Sequence, residues 1–281
     1  MTITVASGKG GTGKTLVATS LALSLRKDVQ FLDCDVEEPN GYIFLKPDIK
    51  KSETVYLPKP KVDISKCTFC GLCSKLCRYN AISVIKPKNK VLFFYELCHS
   101  CGTCSFVCPE NAIYEEQIEK GVIEEGAVKG MFHFIQGKLK PSEANPVPLI
   151  KAVKKKIKKG KINIVDASPG TSCPVVQAVN NSDFCILVTE PTPFGLNDLT
   201  LAVEMTKKMN VPAGVIINRA NIGNSKVKEY CIKEKIPILL TIPFRKEIAV
   251  AYSKGIPLVE IYPEYVQIFR DTYSGIKDMI K

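Results

Sequence analysis

Short apolar runs rich in β-branched residues recur along the chain at residues 2–6, 29–33, 162–166, 184–189, 213–218 and 236–242. Each run is continuous rather than alternating, which is the pattern of strands buried on both faces. Residues 16–25 favour a helix with an amphipathic face. Strands that alternate with helical stretches predict an α/β fold, a doubly wound and mainly parallel sheet with helices on both faces. Residues 119–125 and 131–139 predict two further short strands joined by a glycine-containing turn. The last helical stretch places Tyr265, Phe269, Tyr273, Ile276 and Ile280 on one face, suited to docking on the sheet.

The pattern changes at Pro58-Lys59-Pro60, a pair of helix and strand breakers. An internal repeat follows. The row Cys67, Cys70, Cys73, Cys77 returns as Cys98, Cys101, Cys104, Cys108, and each cysteine lies 31 residues after its counterpart. Asn80-Ala81-Ile82 returns as Asn111-Ala112-Ile113 at the same offset. Each row reads C-x2-C-x2-C-x3-C, the run of bacterial ferredoxins. Three closely spaced thiolates close on one corner of a cubane, and the fourth, expected at the start of a short helix, ligates the other cluster. The expected sets are Cys67, Cys70, Cys73 and Cys108 for one 4Fe–4S cluster, and Cys77, Cys98, Cys101 and Cys104 for the other. Zinc prefers separated C-x-x-C knuckles and suits these rows poorly. Cys108 is followed by Pro109, as such runs usually are, whereas Cys77 is followed by Arg78, so the two clusters are not expected to be equivalent. His99, between cluster cysteines, is expected to shield or tune a cluster, because eight cysteines already fill both sites. The expected division is therefore 1–58 and 116–281 for the large domain, with a small α+β ferredoxin-like insert at 59–115.

The richest chemistry sits at the start. Gly8-Lys9-Gly10-Gly11-Thr12-Gly13-Lys14-Thr15 fits G-x-x-x-x-G-K-[ST], between a predicted strand and a predicted helix. The glycines let backbone N–H groups turn toward phosphate oxygens, and the helix N-terminus favours negative charge. Lys14 is suited to reach the terminal phosphates, and the Thr15 hydroxyl to ligate magnesium; Leu16 completes the expected nucleotide-contacting set. Two predicted strands end in acid, at Asp33-Cys34-Asp35 and at Asp166. Carboxylates at strand ends beside a phosphate loop are placed for a metal or a water.

With Lys9 directly before the glycine pair, the loop resembles that of the deviant phosphate-loop ATPases, the family of MinD, ParA and the Mrp-type iron–sulfur carriers. The resemblance covers most of the chain apart from the insert. It implies that Lys9 crosses a homodimer interface to the partner's ATP and that Asp35 polarises the attacking water. It matches Asp166-Ala167-Ser168-Pro169-Gly170-Thr171 to the family's D-x-x-P-G-T, with Asp166 holding magnesium through water and Gly170 near the γ-phosphate. It further implies that Asn218 and Arg219 meet the adenine by hydrogen bonding and stacking, and that the loop at Pro243 borders the base.

Composition adds limits. The chain has 281 residues, 45% hydrophobic, with a formal charge of +11. Such a charge suggests nucleic acid, but two oxidised clusters with their thiolates carry roughly −4, and the lysines are scattered except within 151–161. Nucleic acid is therefore not an expected partner. No basic-then-apolar leader and no long uncharged apolar stretch are present, so membrane insertion is not expected either. Twelve cysteines without a leader point to metal binding in a reducing cytoplasm. Cys34, Cys185 and Cys231 read as core residues, and Cys173 as a small buried residue or a sensor. The expected activity is ATP hydrolysis coupled through a homodimer to electron transfer, with a redox partner or iron–sulfur client. The alternatives are an Mrp-like cluster carrier and a MinD- or ParA-like regulator with a redox-sensing insert.

Overall fold

The structure, a computed structural model, describes residues 1–280. In chain order it runs β1 (Thr2–Ala6), α1 (Lys14–Leu25), β2 (Val29–Asp33), α2 (Gly41–Leu45), β3 (Asp48–Val62), α3 (Leu72–Leu76), β4 (Ile82–Ile85) and β5 (Lys90–Phe93). Then come α4 (Thr103–Phe106), β6 (Ile113–Val128), β7 (Phe132–Leu139), α5 (Val147–Lys154), β8 (Ile162–Asp166), α6 (Cys173–Val179) and β9 (Phe184–Thr189). The chain ends with α7 (Pro193–Lys208), β10 (Ala213–Asn218), α8 (Lys226–Lys233), β11 (Ile238–Ile242), α9 (Lys246–Ser253), α10 (Leu258–Ile261) and α11 (Glu264–Ile280). Two compact units result. The first is Met1–Glu53, Ile123–Lys138 and Pro146–Lys281; the second is Thr54–Val122 and Leu139–Asn145.

The first unit is built on a sheet ordered β11-β10-β9-β1-β8-β2-β7, continued by β6 and β3 at one edge. The pairs β1·β8, β1·β9, β2·β8, β2·β7, β9·β10 and β10·β11 are all parallel. This is the expected α/β class with a mostly parallel sheet. Strand order reverses beside β1, and at such a switch point the strand C-termini leave a crevice for ligands.

Helix α1 departs from expectation. It is not amphipathic: every residue except Leu25 is buried. The sheet lies on one side, and α11 and α10 lie on the other. Two of its hydroxyls bond to the helix's own backbone: Thr19 Oγ1 donates to Thr15 O at 2.6 Å and Ser24 Oγ to Ser20 O at 2.7 Å. Hydroxyls satisfied in this way tolerate burial on a helix. Helix α11 docks as expected, burying Tyr265, Phe269 and Ile276. Among the described residues, no helix is long and apolar enough to cross a membrane.

The proline pair likewise behaves differently from a boundary. Pro58 and Pro60 lie inside the 15-residue strand β3. That strand is at the sheet edge, where an absent N–H costs no ladder bond on the solvent side. The hairpin expected at 119–139 is also longer, because β6 begins at Ile113.

In the second unit the sequence repeat is a backbone repeat. Phe69 and Ser100, Gly71 and Gly102, and Asn80 and Asn111 form pairs with positive φ at matching positions. Both short helices, α3 and α4, precede the fourth cysteine of their row instead of following it.

Phe31 on β2 and Phe134 on β7 are paired in register, fully buried and stacked with centroids 5.8 Å apart. Phe134→Ala is expected to cost about 3–5 kcal/mol, measured by urea unfolding followed by far-ultraviolet circular dichroism.

Candidate functional site

Between β1 and α1 the phosphate loop turns through Gly11 and Gly13, at φ 77° and 96°. A side chain at Gly13 would be strained, and its Cβ would stand 2.5 Å from Asn218 Nδ2. Asn218 closes on the loop from the end of β10: Nδ2 donates to Thr12 O at 2.8 Å, and Oδ1 accepts from Arg219 N at 2.9 Å. Asn218, one of the residues expected at the base, therefore meets the phosphate loop directly. Leu16, Asn218, Arg219 and Pro243 line one cavity of about 290 Å³, together with Arg245 and Tyr252, which the sequence reading missed.

The acidic strand ends converge on the same loop. Thr15 Oγ1 donates to Asp166 Oδ2 at 2.7 Å. Asp166 is buried, and its Oδ1 has no partner among the described residues. A hydroxyl beside a buried carboxylate with a free oxygen is an oxygen donor set of the kind magnesium uses with water and phosphate. The residues present therefore fit the expected metal. Gly170, at φ 100°, donates its N–H to Ser7 O at 2.9 Å, which holds the loop after β8 against the phosphate loop.

Asp33 and Asp35 divide their work. Asp33 Oδ2 accepts from Gly41 N at 2.8 Å, and Oδ1 from Asp35 N at 3.1 Å. Burial, and then the charge of Asp166, push its carboxyl well above the usual range. It staples the loop together. Burial pushes Asp35 up to about 6, against the pull of Lys14 and with the help of Asp166.

Glu190, at the end of β9, was not anticipated. Its Oε1 lies 2.7 Å from Arg219 Nη1 and its Oε2 lies 3.8 Å from Lys9 Nζ. One buried carboxylate thus gathers the lysine before the glycine pair and the arginine of the base cavity. A carboxylate at a strand C-terminus beside the switch point was the available signal.

In the second unit, one cavity is lined by Cys67, Cys70, Cys73 and Cys108, and another by Cys77, Cys98, Cys101 and Cys104. Each cavity is thus lined by four of the eight cysteines. Backbone N–H groups point at the fourth sulfur of each row: Ala81 N donates to Cys77 Sγ at 3.4 Å and Ala112 N to Cys108 Sγ at 3.3 Å. Among the described residues, no group of His, Cys, Asp or Glu converges as tightly as a single ion requires. Four cysteines to a cavity are the donor set, by residue type and number, that a 4Fe–4S cluster uses.

A family model for the CobQ/CobB/MinD/ParA nucleotide binding domain matches residues 3–258. The chain belongs to that family. Two uncharacterised proteins of Methanocaldococcus jannaschii are similar along its length. One is 33% identical over 285 residues, covering 100% of this chain and 98% of the relative. The other is 30% identical over 267 residues, covering 91% and 90%. An iron–sulfur cluster carrier protein of Aquifex aeolicus is 30% identical over 116 residues, 36% of this chain and 32% of the carrier. Among solved structures, the cell division ATPase MinD of Pyrococcus furiosus has a TM-score of 0.57 at 20% identity, covering 99% of this chain and 98% of that one. MinD of Pyrococcus horikoshii with Mg-ADP has a TM-score of 0.58 at 20% identity, covering 99% and 97%. These two share the fold.

Asp35 makes this CobQ/CobB/MinD/ParA-family site pH-sensitive. Its folded pKa of about 6 lies above the ordinary 3.8, so its contribution to stability is complete below pH 3.8 and is lost as pH rises through 6. Asp35→Asn is expected to stabilise the nucleotide-free protein by about 2–3 kcal/mol at pH 7 and by almost nothing at pH 4, in denaturant melts at the two values.

Proposed function

We propose that this protein binds and hydrolyses ATP as a homodimer and couples that cycle to electron transfer through two 4Fe–4S clusters. The observation that carries the reading is that one chain holds a complete phosphate-loop site and two cavities each lined by one expected set of four cysteines.

At the nucleotide, Gly8, Gly10, Gly11, Thr12 and Gly13 wrap the phosphates with backbone N–H groups. Lys14 places its charge on the terminal phosphates, and Thr15 and Asp166 would hold magnesium, which would supply further charge neutralisation at the phosphates. Asp35 orients the attacking water. Lys9 leaves Glu190 and reaches the partner's ATP, adding charge stabilisation in the transition state. Arg219 and Asn218, with Leu16 and Pro243, seat the base. In the second unit the two cysteine sets hold the clusters, which when bound supply one-electron chemistry. The chain passes from the first unit to the second within β3, returns within β6, and enters the second unit again over Leu139–Asn145.

The similarity to the Aquifex aeolicus carrier favours a second reading, that of a cluster carrier or assembly factor. This chain has no C-x-x-C outside residues 67–108, so a carrier role would fall to the two cysteine rows themselves. A regulator with a redox-sensing insert ranks third. Neither nucleic acid nor membrane is a proposed partner; a redox partner or iron–sulfur client is.

Anaerobic analysis is expected to give about eight iron and eight sulfide per chain. A value near four, or zinc in their place, removes the two-cluster reading. Lys14→Ala is expected to abolish nucleotide binding, and Asp35→Ala to bind ATP and lose turnover; normal hydrolysis in the second variant overturns the assignment of Asp35. With Asp35→Ala, ATP is expected to shift at least one cluster potential by roughly 30–60 mV, the equivalent of about 1 kcal/mol of coupling for one electron. Lys9→Ala should bind ATP yet lose both the dimer and the shift. Equal potentials with and without ATP favour the carrier or the regulator.

A further inference from the structure

Lysine is seldom buried unless a carboxylate accompanies it. The second unit buries two. Lys120 on β6 is 2% exposed and ion-paired to Glu143. Lys59 on β3 is 7% exposed and, among the described residues, forms no ion pair. Its Nζ donates instead to two backbone carbonyls, Tyr95 O at 3.0 Å and Cys98 O at 2.9 Å. Glu96 and Glu143 share a cavity of about 200 Å³ with it but stand beyond ion-pair distance. Lys90, 31 positions later and outside the repeated rows, is exposed on β5. The two cysteine rows are alike in sequence and differ in the buried charge beside them.

Cys98 belongs to the set with Cys77, Cys101 and Cys104. A charge fixed on the Cys98 carbonyl, away from solvent, is poorly screened, whereas Lys90 faces water and salt. Adding an electron makes a cluster more negative, and a nearby buried cation lowers the free energy of that form. We propose that Lys59 raises the reduction potential of the Cys77/Cys98/Cys101/Cys104 site above that of the Cys67/Cys70/Cys73/Cys108 site. Electrons delivered to the second unit then come to rest first at the former. This inference rests on the two-cluster reading above. Each site takes one electron from an external one-electron reductant, and Lys59 keeps its proton and both hydrogen bonds.

The test is anaerobic potentiometric titration of the iron-loaded full chain with dithionite, followed by paramagnetic resonance. The unmodified protein is expected to show two unequal midpoints. Lys59→Gln keeps donors for the carbonyls and removes the charge. It should lower the higher midpoint by about tenfold in the reduced-to-oxidised ratio, or 59 mV for one electron, and leave the other in place. Lys90→Gln should move neither. Glu143→Gln, which leaves Lys120 uncompensated, should move the same midpoint upward. Full iron content in Lys59→Gln with both midpoints unchanged overturns the proposal. If Lys59→Gln loses iron, unmoved midpoints in Glu143→Gln overturn it instead. An unmodified protein without iron and sulfide overturns the two-cluster reading itself, and this inference with it.

Discussion

The hydrogen bond from Thr15 Oγ1 to Asp166 Oδ2 ties the first turn of α1 to the end of β8. The nucleotide site depends on this contact. It crosses from β1's helix to the neighbouring strand, at the point where strand order reverses. Around it the backbone bonds from Cys34 N to Asp166 O and from Gly170 N to Ser7 O bring the other two loops to the same place. A site assembled from strand ends is rigid because each strand is fixed on both sides by its neighbours. The loops need to supply only the final turn.

That rigidity has an electrostatic cost. Asp33 and Asp166 stand opposite each other in the β2·β8 register, both buried, with Asp35 two residues away. Carboxylates brought this close out of water resist joint ionisation. Lys14 opposes the effect without cancelling it, as the raised values of Asp35 and Asp166 show. A divalent cation and a nucleotide are well matched to such a site: the cation answers the carboxylates, and the lysines and N–H groups answer the phosphates. Glu190 plays the balancing part on the other side of the loop, where Lys9 and Arg219 meet.

The second unit solves a different problem. It is small and has few apolar residues to bury, and its cysteines line cavities rather than fill a core. Its order comes from a repeated backbone device, in which paired residues at positive φ turn the chain so that four sulfurs face one space. Asn80 and Asn111 are suited to that conformation by their short polar side chains.

What could be read from the sequence alone is what depends on a few neighbouring residues. Continuous apolar runs declared the parallel strands because a strand buried on both faces has no polar side to show. The phosphate loop, and the cysteine rows 31 residues apart, were legible because backbone turning and metal ligation both require fixed local spacing. Other features lay beyond any local window. Helix α1 looks amphipathic until α11 covers its outer face. Pro58 and Pro60 look like a break until β3 takes the sheet edge. Glu190 has no motif, and it joins Lys9 to Arg219 only because β1, β9 and β10 are adjacent. Lys59 and Lys90 both flank a cysteine row, yet one is buried and the other is in water. The tertiary structure decided these points because burial and charge environment are set by segments that arrive from elsewhere in the chain.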